Sequence, residues 1–380
     1  MPNRIDCSSL PEFTCDTLVA HTEGRAQVCP SVVDNDDFHT PDVIVTHVIG
    51  KGAFSTVFGA YVNHDQWPAA TAATAATAEP QTPTRLLVAL KVFKSHRRFW
   101  KCAIAEAEFL DRFGSDDYVV GFYGAARFKY HIALALEVAT GDLYTYQRNC
   151  FDNPSMTADA MYPVVDLIEH LFSGLTALAR EEVVHCDLKP ENILLVMRNG
   201  RRVAVVGDLG SSRSTLETDS DGGVGVSPWY RAPEVYARGT LCSAGDVWSA
   251  ACVVYEYAYG APLFPVTRER WAGTTRESTA LYFAHLELIG YHGDCFSVDT
   301  DAVFAPPDIR TNTLLPRNRV ELTAARTNIQ KHPGLCGVLT SCLKWDTDER
   351  ATPLAVLDLA RHIGEGDTVL LPTSSRPAPL

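Results

Sequence analysis

The spacing of apolar residues changes several times along the chain, and each change marks an element. From Asp42 to Gly50 the run D-V-I-V-T-H-V-I-G is rich in β-branched residues and ends on glycine, which predicts a strand. F-G-A-Y-V (58–62) predicts a second strand, joined to the first by G-K-G-A-F-S-T-V, from Gly50 to Val57. R-L-L-V-A-L-K-V-F-K, from Arg85, predicts a strongly apolar third strand, and W-K-C-A-I-A-E-A-E-F-L-D-R-F, from Trp100, a helix. V-V-G-F-Y-G-A-A and H-I-A-L-A-L-E-V, within 118–138, give two more strands. Between Met161 and Glu182, Leu167, Leu171, Leu175 and Leu178 recur at helical spacing and predict a buried helix. After Asn192, I-L-L-V and V-A-V-V-G read as a hairpin, and C-S-A-G-D-V-W-S-A-A-C-V-V-Y-E-Y opens a long apolar helix. Strands crowd the early part and helices follow, which is an α+β order.

Two stretches lack this periodicity. Residues 1–41 carry Pro, Asp, Asn and Cys and read as a flexible or weakly docked extension, with a regulatory or partner-binding arm as the alternative. Residues 63–85 contain A-A-T repeats and three prolines, which predicts a disordered insert between strands; a short helix is the alternative.

Composition narrows the function classes. Net charge is −13 over 380 residues, so a basic nucleic-acid footprint is not expected. No run of about 18 apolar residues exists, and no secretory signal is visible in the first 30 residues, so we expect an intracellular chain with no membrane span. The eleven cysteines form neither C-x-x-C pairs nor a Cys/His metal spacing, which reads as free thiols in a reducing compartment.

The polar residues that interrupt apolar runs supply the candidate chemistry. V-H-C-D-L-K-P-E-N-I-L-L (Val184–Leu195) gathers His185, Asp187, Lys189 and Asn192 within eight residues. A carboxylate with a lysine two residues on and an asparagine five residues on suits a loop that holds a hydroxyl nucleophile beside a metal-bound phosphate. The Gly50–Val57 turn can lay backbone N–H groups over a phosphate chain. Lys91 lies inside an apolar strand, where a lysine needs a partner. The following helix offers Glu106, with Leu110 on the same face, and Glu108 as the competitor. D-L-G (Asp208–Gly210) follows an apolar strand 16 residues after Asn192.

Together these motifs resemble eukaryotic protein kinases: a Gly-rich loop, a V-A-x-K lysine, an H-x-D-x-K-x-x-N loop, a D-x-G, and A-P-E at Ala232–Glu234. The resemblance runs in kinase order from residue 50 to residue 350 and implies a bilobal α+β fold. It implies an N-lobe at 42–136, a hinge at 137–142 and a C-lobe at 143–366, with a tail at 367–380. It implies an ATP- and Mg2+-dependent serine/threonine kinase that acts on protein substrates as a monomer. Nucleotide contacts would come from Ile49, Gly50, Lys51, Gly52, Ala53, Phe54, Ser55, Val57, Ala89, Lys91, Glu106, Glu137, Ala139, Asp142 and Leu194. Leu136 would be the gatekeeper, and Asp142 would reach a ribose hydroxyl or cap the next helix. Asp187 would orient the hydroxyl and take its proton, Lys189 would neutralise charge on the moving phosphoryl, and Asn192 and Asp208 would hold metal. Asp246 would hold the catalytic-loop backbone, and Arg350 would pair with Glu234.

H-C-D-L-K-P-E-N and W-Y-R-A-P-E-V resemble the CMGC group, nearest its dual-specificity tyrosine-regulated, homeodomain-interacting and Cdc-like branches, with R-E-S-T-A-L-Y-F-A-H-L-E-L-I-G at the place of that group's insert. Glu191 fits basic residues before the target, and Arg231 fits proline after it. Ser55 stands for the third loop glycine, Leu209 for the usual phenylalanine, and Cys186 for the usual arginine. Without that arginine, activation-segment phosphorylation should matter less; Glu217, Asp219 and Asp221 offer standing negative charge or are solvated loop residues. The divergent composition outside the motifs is similar to that of some virus-encoded kinases. A pseudokinase scaffold is the rival reading.

Overall fold

The computed structural model describes residues 12–13, 43–63, 85–114, 116–128, 131–152, 161–215, 227–238, 240–264, 332–344 and 346–363. The chain forms two compact units, one taking in Met1–Thr140, Val196–Arg201 and Gly207–Gly210, the other the remainder.

The first unit is built on a sheet. Glu12–Phe13 (β1) pairs in parallel with the edge of the sheet at Arg127–Phe128. Val43–Lys51 (β2), Ser55–Asn63 (β3) and Arg85–Phe93 (β4) follow as an antiparallel meander. Arg97–Asp111 forms α1, and Phe122–Phe128 (β5) and His131–Leu136 (β6) complete the order β1-β5-β6-β4-β3-β2. One face is filled by alternating strand residues: Val43 and Val45, Phe58, Ala60 and Val62, then Val88, Leu90 and Val92. Lys91 and Ala89 have the opposite parity. They stand in register with Val57 and Gly59 on β3 and with Leu134 and Leu136 on β6.

The structure extends the second strand back to Ser55. It also takes Asn63 and Arg85 out of the expected insert, since they pair as the last rungs of β3 and β4. The body of that insert, the extension apart from 12–13, the expected CMGC insert, the acidic trio at 217–221 and the tail all lie outside the described residues.

In the second unit, Gly141–Asp142 (β7) leads into Leu143–Asp152 (α2). Val164–Arg180 (α3) buries Leu167, Leu171, Leu175 and Leu178, as their spacing predicts. Val183–Val184 (β8) precedes the candidate catalytic loop. Ile193–Arg198 (β9) and Arg201–Val206 (β10) form the expected hairpin, whose tip at Val196–Arg201 counts with the first unit, and β9 also pairs with β7. Arg213–Ser214 (β11) pairs with β8. Pro233–Arg238 is α4 and Ser243–Tyr259 is α5, and α5 is buried on nearly every side from Gly245 to Ala258. A helix apolar all round belongs in a core. It packs on α3 and on Pro333–Cys342 (α6), and Pro353–Ala360 (α7) packs on α3. The seven cysteines among the described residues are free thiols. No helix among the described residues is long and apolar enough to cross a membrane.

Candidate active site

In the first unit, strand alternation aims Lys91 away from the valine-rich core, and α1 presents Glu106 to it. Its Nζ donates to Glu106 Oε1 and Oε2 at 2.7 and 2.8 Å and to Asp208 Oδ1 at 2.7 Å. The carboxylate that meets Lys91 is Glu106 rather than Glu108. Glu106 lies one turn from Ala103 and Leu110 on the buried face of α1 and is itself 1% exposed. Burial alone would lower the Lys91 ammonium, but Glu106 and Asp208 more than offset it and hold it above its usual range. Burial pushes the Glu106 carboxyl up to about 7, against the pull of Lys91. Asp208 keeps half its side chain exposed (51%) and takes a left-handed backbone, φ 56°. That conformation is uncommon outside glycine. Gly210 makes room for this cluster: a Cβ there would fall 3.1 Å from Glu106 Oε2 and 3.2 Å from Asp208 Oδ1.

The Gly-rich turn closes on itself through a bond from Gly52 N–H to Ser55 O at 2.8 Å. Lys51, Gly52, Ala53, Phe54 and Ile49 are exposed, Gly50 and Val57 half-buried, and Ser55 buried. Lys94 donates to Ala53 O at 2.6 Å, and the Phe54 ring sits 5.7 Å from that of Phe99 at the start of α1. Ala89 is buried, and Ala139 is half-buried in the segment after β6. Glu137 donates its N–H to Gly121 O at 2.8 Å.

In the second unit, the loop after β8 is held from beneath. Asp246, in the first turn of α5, accepts from His185 N–H at 2.6 Å and Cys186 N–H at 3.0 Å. Burial pushes its carboxyl up to about 6, while His185 and the two N–H bonds pull it down. Cys186 is buried with φ 68°, and burial drives its thiol far above the ordinary range. Asp187 comes next and is the meeting point. Lys189 Nζ donates to its Oδ2 at 2.6 Å. Ser227 donates to its Oδ1 from both Oγ, at 2.8 Å, and N–H, at 3.0 Å. Asn192 Nδ2 donates to the Asp187 carbonyl at 2.8 Å. Arg350 forks onto Glu234 at 2.8 and 3.0 Å, the pair that the motif resemblance implies.

Asp142 accepts from Thr145 N–H at 2.8 Å and Thr145 Oγ at 2.9 Å, so its carboxylate caps α2. Leu194 pairs with Asp142 across β7 and β9 and is half-buried. Within the first unit, Asp208 offers a half-exposed carboxylate, a hard oxygen donor of the kind Mg2+ takes. Within the second, Asn192, whose amide nitrogen is turned to Asp187, keeps a hard amide oxygen of the same kind.

Sequence reasoning missed two interactions. Arg198 forks onto Glu137, at 3.1 and 2.5 Å. Tyr230 donates to buried Glu256 at 2.7 Å, and burial pushes that carboxyl up to about 7 against the Tyr230 bond. The partners are 61 and 26 residues apart, and no local pattern links them.

The protein kinase domain family matches residues 43–360. Among curated relatives, human dual specificity tyrosine-phosphorylation-regulated kinase 3 is 31% identical over 227 residues, covering 58% of this chain and 34% of its own length. The fission yeast DYRK-family kinase pom1 is 29% identical over 283 residues, covering 71% of this chain and 24% of its own. Mouse homeodomain-interacting protein kinase 1 is 32% identical over 196 residues, 49% of this chain and 15% of its own. The chain thus spans about a third or less of these relatives. A β-rich first unit and a mainly helical second agree with the bilobal α+β kinase fold, in a family that uses ATP and Mg2+. With four-fifths of its length matched, the chain belongs to the protein kinase domain family.

Proposed function

We propose that this chain transfers the γ-phosphoryl group of ATP to serine or threonine hydroxyls of protein substrates, through a kinase domain at 42–366. The observation that carries the reading is Asp187, whose carboxylate meets Lys189 at 2.6 Å and the Ser227 hydroxyl at 2.8 Å. In this reading the Ser227 hydroxyl, held at 2.8 Å, marks the kind of group Asp187 orients, and Asp187 takes the proton from the substrate hydroxyl as it attacks. Lys189 offsets charge on the transferring group. Lys91 grips the α- and β-phosphates and is braced by Glu106. The Gly50–Val57 turn covers the phosphates, and the main chain of Glu137 and Ala139 meets the adenine edge. Asp208 and Asn192 would each offer an oxygen to Mg2+. When bound, Mg2+ neutralises charge on the phosphate oxygens.

The dual-specificity and homeodomain-interacting relatives support placement near the CMGC group. Glu191 and Arg231 point to basic residues before the target and proline after it. We place the chain inside the cell, in cytoplasm or nucleus, acting as a monomer without direct nucleic-acid binding. A catalytically silent scaffold finds no support in a chain that keeps Lys91, Glu106, Asp187, Asn192 and Asp208.

Asp187→Asn tests the reading. Phosphate incorporation into a generic basic protein should fall about 10²–10⁴-fold, the usual share of a general base, with ATP affinity within about twofold. Full activity in that variant would remove Asp187 from the role.

A further inference from the structure

We propose that Arg198 is a positioning residue for the nucleotide base and that it acts through Glu137. The proposal rests on the reading above, in which the segment after β6 meets adenine. Glu137 is the first residue of that segment. Its N–H is committed to Gly121 O at 2.8 Å, so the main-chain group it turns toward a base edge is its carbonyl. The orientation of that carbonyl depends on what fixes the rest of the residue.

Arg198 fixes it. At the end of β9, its Nε and Nη2 fork onto Glu137 Oε1 and Oε2 at 3.1 and 2.5 Å. Its Nη1 and Nη2 also reach Asp116 O at 3.1 Å and Val119 O at 3.2 Å, in the connection between α1 and β5. One planar group therefore ties Glu137 to two main-chain carbonyls, a geometry that a lysine cannot reproduce in full. The two side chains are only 20% and 16% exposed, so water screens the pair weakly.

Gly121 completes the clamp. It donates its N–H to Glu137 Oε2 at 3.2 Å. A Cβ on Gly121 would stand 3.2 Å from both Glu137 Cβ and Oε2. The carboxylate is thus seated in a fitted slot, not merely paired. The clamp touches neither Lys91 nor Asp208, whose bonds run elsewhere. Loosening it should weaken the grip on the base and spare the grip on the phosphates.

The test compares ATP, GTP and inorganic tripolyphosphate by calorimetry, with steady-state phosphotransfer alongside. Arg198→Met keeps the side-chain stem and removes the fork. It should weaken ATP about tenfold, leave tripolyphosphate within twofold, and cut the ATP-over-GTP preference about tenfold. KM for ATP should rise in parallel, while kcat at saturating ATP falls less than threefold. Arg198→Lys should recover part of the loss. Gly121→Ala, which displaces the same carboxylate from the other side, should reproduce it and carries the test if Arg198→Met does not fold. Unchanged ATP affinity in a folded variant, or parallel losses for ATP and tripolyphosphate, overturns the proposal. A wild-type chain that prefers ATP yet transfers no phosphate would sink the kinase reading and leave Arg198 in place. One that binds ATP no better than tripolyphosphate would sink the role of Arg198.

Discussion

Glu106 and Asp246 are both buried carboxylates, at 1% and 5% exposure, but they are balanced by different partners. Glu106, in the first unit, faces the ammonium of Lys91. Asp246, in the second, accepts hydrogen bonds from the main-chain N–H groups of His185 and Cys186. An ammonium can exchange one anion for another, and here it already holds Asp208 as well. Backbone donors have no such freedom, because their place is fixed by the loop they belong to. The first unit therefore keeps a cation shared between two carboxylates, and the second keeps a loop whose main chain is tied to one.

Three experiments press on that difference. Lys91→Met should have the largest effect, cutting phosphotransfer more than a hundredfold and destabilising the protein by about 3–5 kcal/mol, because Glu106 is left buried without its cation. Lys91→Met with Glu106→Leu should regain most of the stability in a denaturant titration and none of the activity. Equal stability of single and double variants would show that the ion pair is not what makes burial of Glu106 tolerable. Asp246→Ala should come next. It strands two buried N–H donors at about 1–3 kcal/mol each, and no second substitution of a charged partner can restore them.

The third effect is smaller and depends on pH. Asp246, Glu256 and Glu106 have folded-state values raised to about 6, about 7 and about 7 by burial. The native state therefore holds protons that the unfolded chain has released, between about pH 4 and 7. Stability from these groups is fully present below their unfolded values and is lost as pH rises through 6 and 7. The thermal midpoint should be higher at pH 5.5 than at pH 8. Glu256→Gln should flatten the curve by about 1–3 kcal/mol across that window, and an unaltered pH profile in that variant would exclude Glu256.

Much of this organisation is legible in the sequence because it is local. Leu167, Leu171, Leu175 and Leu178 announce one buried face, and His185 to Asn192 set their spacing within one loop. Glu106 could be chosen over Glu108 because Leu110 shares its face. Arg350 and Glu234 were paired across 116 residues only through the resemblance of their motifs. Arg198 with Glu137, and Tyr230 with Glu256, belong to no motif, so nothing short of folding brings them together. The left-handed backbone at Cys186 was equally silent, since cysteine does not signal positive φ as glycine does; at Asp208 the residue type is only a weak signal.

Cys186 also bears on covalent chemistry. Nucleophilic attack on an electrophile needs a thiolate, and this thiol is buried, 3.5 Å from the Val184 carbonyl oxygen, with its ionisation strongly opposed. The cysteine that marks the centre of the loop is thus a poor anchor for alkylating reagents. A reactive inhibitor aimed at this loop would have to rely on fit rather than on bond formation.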